Sequence, residues 1–137
     1  MFICDISVYN RYGKQTLDEE LEKIGLKWHD LVLLLVTGQV PGIEQSRLIP
    51  FLQTDKANVT KLIQKMEQTG YLYREQNKED KRNKKVFLTK KGTELLPELY
   101  HVMNTWEENC FAGIDPTELE VFQKVGNQIT KNIMKNQ

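Results

Sequence analysis

Apolar residues recur at helical spacing along most of the chain and at strand-like spacing only near its middle. From about Asp5 to Ile24, the residues Ile6, Tyr9, Leu17, Leu21 and Ile24 form a loose stripe that Gly25 closes. Trp28 to Val36 is apolar nearly all round, which predicts a helix central to the core. Thr37-Gly38 and Pro41-Gly42 predict turns. Ile43 to Leu52 predicts a short helix carrying Ile43, Leu48 and Leu52, with Pro50 kinking its last turn.

The next helix is the clearest. Thr54 or Asp55 can cap it, Val59, Leu62, Ile63 and Met66 follow at i, i+3, i+4 and i+7, and Gly70 stops it in the left-handed conformation. The opposite face holds Ala57, Thr60, Lys61, Gln64 and Lys65, with Asn58 beside them. Tyr71 to Asn77 and Lys85 to Thr89 are rich in Tyr, Val, Phe and Leu and predict two strands. The polar segment Lys78 to Lys84 between them predicts a hairpin tip. Thr89 then caps a long helix with the stripe Leu95, Leu96, Leu99, Val102, Met103, Trp106 and Cys110, which Pro97 bends. Asp115-Pro116-Thr117-Glu118 opens a last helix, with a capping-box spacing and proline at its first position. Leu119, Phe122, Val125, Ile129 and Ile133 give that helix one apolar face. The expected fold is mainly α with a small β-hairpin, an α+β class.

Charge changes the picture because it is unevenly placed. The formal net charge is zero, yet Asp55 to Gly92 holds 11 basic against 5 acidic residues, a local +6 that the rest of the chain balances. A basic block between acidic ends predicts one surface that meets a polyanion. At 137 residues the chain is one domain's worth, and no run approaches the roughly 20 apolar residues of a membrane span. The start Met-Phe-Ile-Cys-Asp carries no secretory signal pattern, so a soluble, cytoplasmic protein is expected. Two cysteines, Cys4 and Cys110, exclude a disulfide framework and Cys-x-x-Cys zinc sites, and two histidines leave little for a metal centre. No Gly-rich phosphate loop, Gly-x-Ser-x-Gly or His-nucleophile pairing is present. Neither an enzyme, a cofactor nor a bound metal is expected.

Three helices followed by a two-stranded hairpin is the order of a winged helix-turn-helix. A helix in the major groove needs one apolar side to dock on its own protein and donors or small residues in its first turns. Lys56, Ala57, Asn58, Thr60 and Lys61 meet that need, with Gln64 and Lys65 one turn on. Lys81, Arg82 and Lys84 at the hairpin tip would reach the adjacent minor groove or its phosphates. Such a surface predicts a double-stranded DNA partner.

Three ordered motifs also resemble the MarR (multiple antibiotic resistance regulator) family over nearly the whole length. They are Asp55-Lys56-Ala57-Asn58-Val59-Thr60-Lys61-Leu62 through Met66-Glu67-Gln68-Thr69-Gly70-Tyr71-Leu72, then Glu79-Asp80-Lys81-Arg82, then Leu88-Thr89-Lys90-Lys91-Gly92. The resemblance implies a single domain over 1–137, with a winged-helix lobe at about 25–92 and dimerisation helices at about 1–24 and 93–137. It implies a ligand-responsive repressor that binds a pseudo-palindromic operator as a homodimer. It assigns minor-groove entry to Arg82 and gives Asp80 the orienting of the wing through an ion pair. It places a dimer interface on Phe122, Ile129 and Ile133, and an effector pocket among Tyr9, Tyr12, Trp28 and Trp106. The effector, if there is one, is a small molecule that aromatic lining alone does not name.

Two features depart from the family pattern. Lys27 stands where a capping threonine is usual, and Pro50 interrupts the helix before the recognition helix. Two other functions compete. One is a winged-helix module that binds protein rather than DNA. The other is thiol-based redox sensing through Cys4, although the positions resembling the partner tyrosines of the peroxide-sensing branch fall near Ser7 and Leu17. Cys110, on the apolar stripe of the long helix, is expected in the core.

Overall fold

The computed structural model describes residues 1–137 and divides into two compact units, Met1–Asn104 and Thr105–Gln137. The first unit opens with α1 (Phe2–Val8), a π-helical turn at Tyr9–Gly13 and α2 (Lys14–Glu22). Gly25, at φ +74°, ends this run. There the Leu26 N–H reaches Leu21 O at 3.1 Å and the Gly25 N–H reaches Glu22 O at 3.0 Å, satisfying carbonyls the helix leaves open. α3 (Trp28–Gln39) follows, and Leu31, Leu33, Leu34 and Leu35 are all buried on it. Lys27 has no side-chain acceptor, so α3 is capped from elsewhere. Asp30 takes the Lys27 N–H at 2.9 Å, and Asp18 of α2 takes the Trp28 N–H at 2.7 Å.

α3 runs through Thr37-Gly38, where the sequence predicts a turn. The Thr37 hydroxyl bonds back to Leu33 O at 2.7 Å, and a Cβ on Gly38 would lie 3.0 Å from Leu96 Cδ1. Gly38 is therefore a packing glycine. The predicted helix Ile43 to Leu52 is also corrected. Its first two residues form β1 (Ile43–Glu44), followed by a 3-10 turn at Gln45–Leu48 and the single turn α4 (Ile49–Leu52). Ile43 and Glu44 pair with Val86 and Lys85, so an open sheet edge overrides their local preference. Pro50 stands in the first turn of α4, where its missing N–H costs no helical hydrogen bond, so it starts a helix instead of kinking one.

After α5 (Lys56–Gln68), β2 (Leu72–Gln76) and β3 (Lys84–Leu88) form the hairpin, giving an antiparallel sheet in the order β1-β3-β2. The expected two-stranded wing is thus three-stranded. α6 (Lys90–Cys110) starts at Thr89, whose hydroxyl accepts the Gly92 N–H at 3.0 Å, and it contains Pro97 without ending there. The core of this unit is Leu17, Leu21, Leu26, the α3 leucines, Leu48, Leu52, Val59, Ile63, Met66, Leu72, Val86 and Leu99, all buried.

The second unit contains the end of α6 and α7 (Pro116–Met134). Asp115 caps α7 by accepting the Thr117 N–H at 2.8 Å, and the Phe111 and Phe122 rings meet edge to face at 6.0 Å.

Candidate nucleic-acid interface

α5 is held by its two ends and one face. Asp55 supplies the N-cap, accepting the Asn58 N–H at 2.8 Å. Gly70, at φ +83°, supplies the stop, with the Tyr71 N–H on Met66 O at 2.9 Å. Val59, Ile63 and Met66 are fully buried, each worth about 1.5–3 kcal/mol of transfer free energy. The outward strip is Lys56, Ala57, Asn58, Lys61, Gln64 and Lys65, all exposed. Two residues of the predicted reading face are engaged by the protein itself. The half-buried Thr60 donates its hydroxyl to Lys56 O at 3.0 Å and accepts from Gln45 Nε2 at 2.8 Å. Lys65 Nζ lies 3.4 Å from the buried Asp30 carboxylate, which the sequence reading did not single out.

The hairpin tip is built around Glu44. One carboxylate oxygen accepts from Asn77 Nδ2 at 3.1 Å, and the other from Asn83 Nδ2 at 2.9 Å. The partners are 33 and 39 residues away, so no local sequence signal exposes this clamp. Asp80 orients the tip, but not through the expected ion pair. Its Oδ1 accepts the main-chain N–H of Arg82 at 3.0 Å, an Asx turn that leaves the guanidinium outside. Lys81, Arg82 and Lys84 are all exposed.

Between α5 and the tip runs an open groove of about 490 Å³, lined by Lys56, Thr60, Arg74, Asp80, Arg82 and Lys84 among others. Lys56, Arg82 and Lys84 bring three cations against the one carboxylate of Asp80, whereas the Arg74 charge is matched by Glu67 at 2.8 Å. Helix and tip therefore present one positive concavity with donors along both walls, suited to an extended polyanion. No group of three or more His, Cys, Asp or Glu side chains gathers to hold a metal.

Residues 26–84 match the model of the MarR family. A MarR transcriptional regulator from Methanosarcina mazei Go1 superposes with a TM-score of 0.88 at 28% identity, over 99% of both chains. Residues 26–84 therefore resemble a MarR-family winged helix. A MarR-family chain from Listeria monocytogenes, complexed with a 26mer DNA, shares the fold with a TM-score of 0.84 at 24% identity, over 96% of this chain and 87% of that one. Among curated relatives, the HTH-type transcriptional regulator BilQ of Clostridium symbiosum is 24% identical over 111 residues, 78% of this chain and 77% of BilQ. Three further curated HTH-type regulators are matched over 64%, 53% and 40% of their own length. These similarities are to transcriptional regulators.

The chain has a second cleft, of about 430 Å³, beside the outward strip of α5. Lys14, Trp28, His29, Gln53, Lys61 and Lys65 contribute to its lining. The Lys14 ammonium lies 4.1 Å from the centroid of the Trp28 ring and also bonds to Gln53 Oε1. Burial pushes the Lys14 pKa below its usual value, partly opposed by Asp18. Gln53, at φ +52°, is the one non-glycine residue in the left-handed region. Of the aromatic residues expected around an effector, only Trp28 lines this cleft. Tyr9 and Tyr12 are 63% and 53% exposed, and Trp106 is half-buried in the second unit.

On α7, Phe122 and Ile133 are 55% and 61% exposed, and Ile129 is half-buried. Both cysteines are exposed, so the core position expected for Cys110 is corrected. It is the final residue of α6, beyond the last buried position of the stripe at Leu99. Desolvation there, with Glu107 nearby, pushes its thiol pKa up, away from the reactive thiolate.

Proposed function

We propose that this chain is a sequence-specific regulator that binds duplex DNA in the cytoplasm, with α5 reading the major groove and the hairpin tip entering the flanking minor groove. The observation that carries this reading is the groove shared by Lys56 of α5 and Arg82 and Lys84 of the tip. Asn58 and Lys61 face outward, where side chains meet base edges, and Ala57 is small enough for close approach. Lys81, Arg82 and Lys84 supply cations where the narrow groove concentrates negative potential. No helix is long and apolar enough to cross a membrane.

The regulator acts as a homodimer on a pseudo-palindromic operator. The apolar residues exposed at the chain's two ends support this. Phe2, Ile3 and Tyr9 lie in the N-terminal helical run, and Phe122, Val125 and Ile133 in α7, all roughly half exposed or more. Two recognition helices then meet two half-sites on one face of the duplex. The cleft at Lys14 and Trp28 supports ligand-responsive repression. A small molecule seated there would touch Lys61 and Lys65 and so compete with DNA for the same helix. Selection of bound sequences from random duplex DNA tests the whole reading. A palindromic consensus with half-sites one helical turn apart is expected, whereas recovery of no consensus would refute sequence-specific binding.

A further inference from the structure

Arg74 stands on β2, inside the wing, with its side chain only 15% exposed. Its Nη2 is ion-paired with Glu67 Oε1 at 2.8 Å, in the last turn of α5. Its Nη1 donates to Gln45 Oε1 at 3.3 Å, in the 3-10 turn after β1. Gln45 Nε2 donates in turn to Thr60 Oγ1 at 2.8 Å, and Thr60 donates to Lys56 O at 3.0 Å. The relay leaves α5 at its C-terminal end, crosses the sheet and returns to its N-terminal half.

Only one hydrogen pattern satisfies this relay. Turning the Gln45 amide over would set its NH2 against the guanidinium, donor against donor. The Thr60 hydroxyl has one hydrogen, and Lys56 O takes it. Each partner therefore fixes the next. Because β2 leads directly to the tip, any tilt of the hairpin against α5 strains the Arg74 contacts at both ends of the helix. The Arg74 charge is already matched by Glu67, so it adds little to the field that attracts a polyanion.

We propose that Arg74 is a positioning residue, which fixes the separation of α5 and the wing tip and thereby sets how sharply the protein discriminates one DNA sequence from another. The proposal rests on the DNA-binding reading above, and its test separates the two. Arg74→Met removes the centre of the relay. Glu67→Gln is the milder variant, keeping an acceptor and the fold while removing the ion pair.

The first arm measures distance without DNA. Spin labels at Gln68→Cys and Glu79→Cys, in a Cys4→Ser/Cys110→Ser background, report the gap between α5 and the tip. A narrow distribution in the parent that broadens in both variants supports the relay. An unchanged distribution overturns it. The second arm titrates the selected duplex and a scrambled one. The affinity ratio should fall roughly tenfold in Arg74→Met, the size of a lost base contact, while scrambled-duplex affinity and salt slope stay at parent values. If both affinities fall together and the salt slope drops by about one, Arg74 is a phosphate contact and the proposal fails. Glu67→Gln should likewise lower discrimination. If it instead tightens both duplexes, simple charge removal is at work and the relay is refuted. If the parent selects no sequence at all, the DNA reading fails, and the label distances still decide the relay.

Discussion

A Cβ placed on Gly92 would lie 2.2 Å from the carbonyl oxygen of Tyr71. The first turn of α6 thus sits directly on the backbone that links α5 to β2, held there by Thr89, which bonds both Gly70 O and the Gly92 N–H. Gly92→Ala forces two backbones apart, since the two nearest atoms, O and C of Tyr71, belong to the main chain. It should destabilise the fold by about 1–3 kcal/mol, read as a lower midpoint in urea with an unchanged slope.

Asp30 joins α3 to α5, capping Lys27 N–H and facing Lys65 at 3.4 Å from a buried position. Asp30→Ala removes a cap and should cost about 0.5–2 kcal/mol of stability. It also releases Lys65, so duplex affinity at low salt should rise even as the fold weakens. Opposite signs in a melting curve and a binding titration would establish this double role. A parallel loss of both would assign Lys65 no latent charge for DNA.

Arg82 is exposed, and Asp80 holds only its main-chain N–H. Arg82→Ala should therefore change stability by less than about 0.5 kcal/mol. Affinity for the selected duplex should fall by about 1–3 kcal/mol, with a shallower salt slope. Lys61→Ala distinguishes reading from holding. Loss of discrimination means it reads a base, and equal losses on selected and scrambled duplexes mean it holds a phosphate.

Ile133 is 61% exposed on α7. Ile133→Glu adds a carboxylate that water solvates in a single chain but that an apolar interface would desolvate. Sedimentation should show a folded monomer in place of a dimer. A variant that remains dimeric at micromolar concentration would move the interface elsewhere.

What the chain alone revealed follows the range of each interaction. The α5 stripe of Val59, Ile63 and Met66, its Asp55 cap and its Gly70 stop are local signals, and the structure has all of them. The outward strip from Lys56 to Lys65 was legible for the same reason. Ile43 and Glu44 read as helix because their strand exists only against Val86 and Lys85, some forty residues on. The α3 caps at Asp18 and Asp30, the Glu44 clamp and the Arg74 relay are equally hidden, since each joins elements distant in sequence. Asp80 lies at the tip, but its partner is a backbone N–H that no motif spacing distinguishes from a guanidinium.

α5 and the wing tip are expected to meet the phosphate backbone of duplex DNA together. Affinity for the selected duplex across a salt series reads this contact out. If Lys56, Lys61, Arg82 and Lys84 each neutralise a phosphate, log affinity should fall linearly with log salt, by about 0.9 per phosphate. The slope should therefore be about 3.6 per protomer. Weak affinity that does not change with salt would contradict the account and point to a winged helix that binds protein instead.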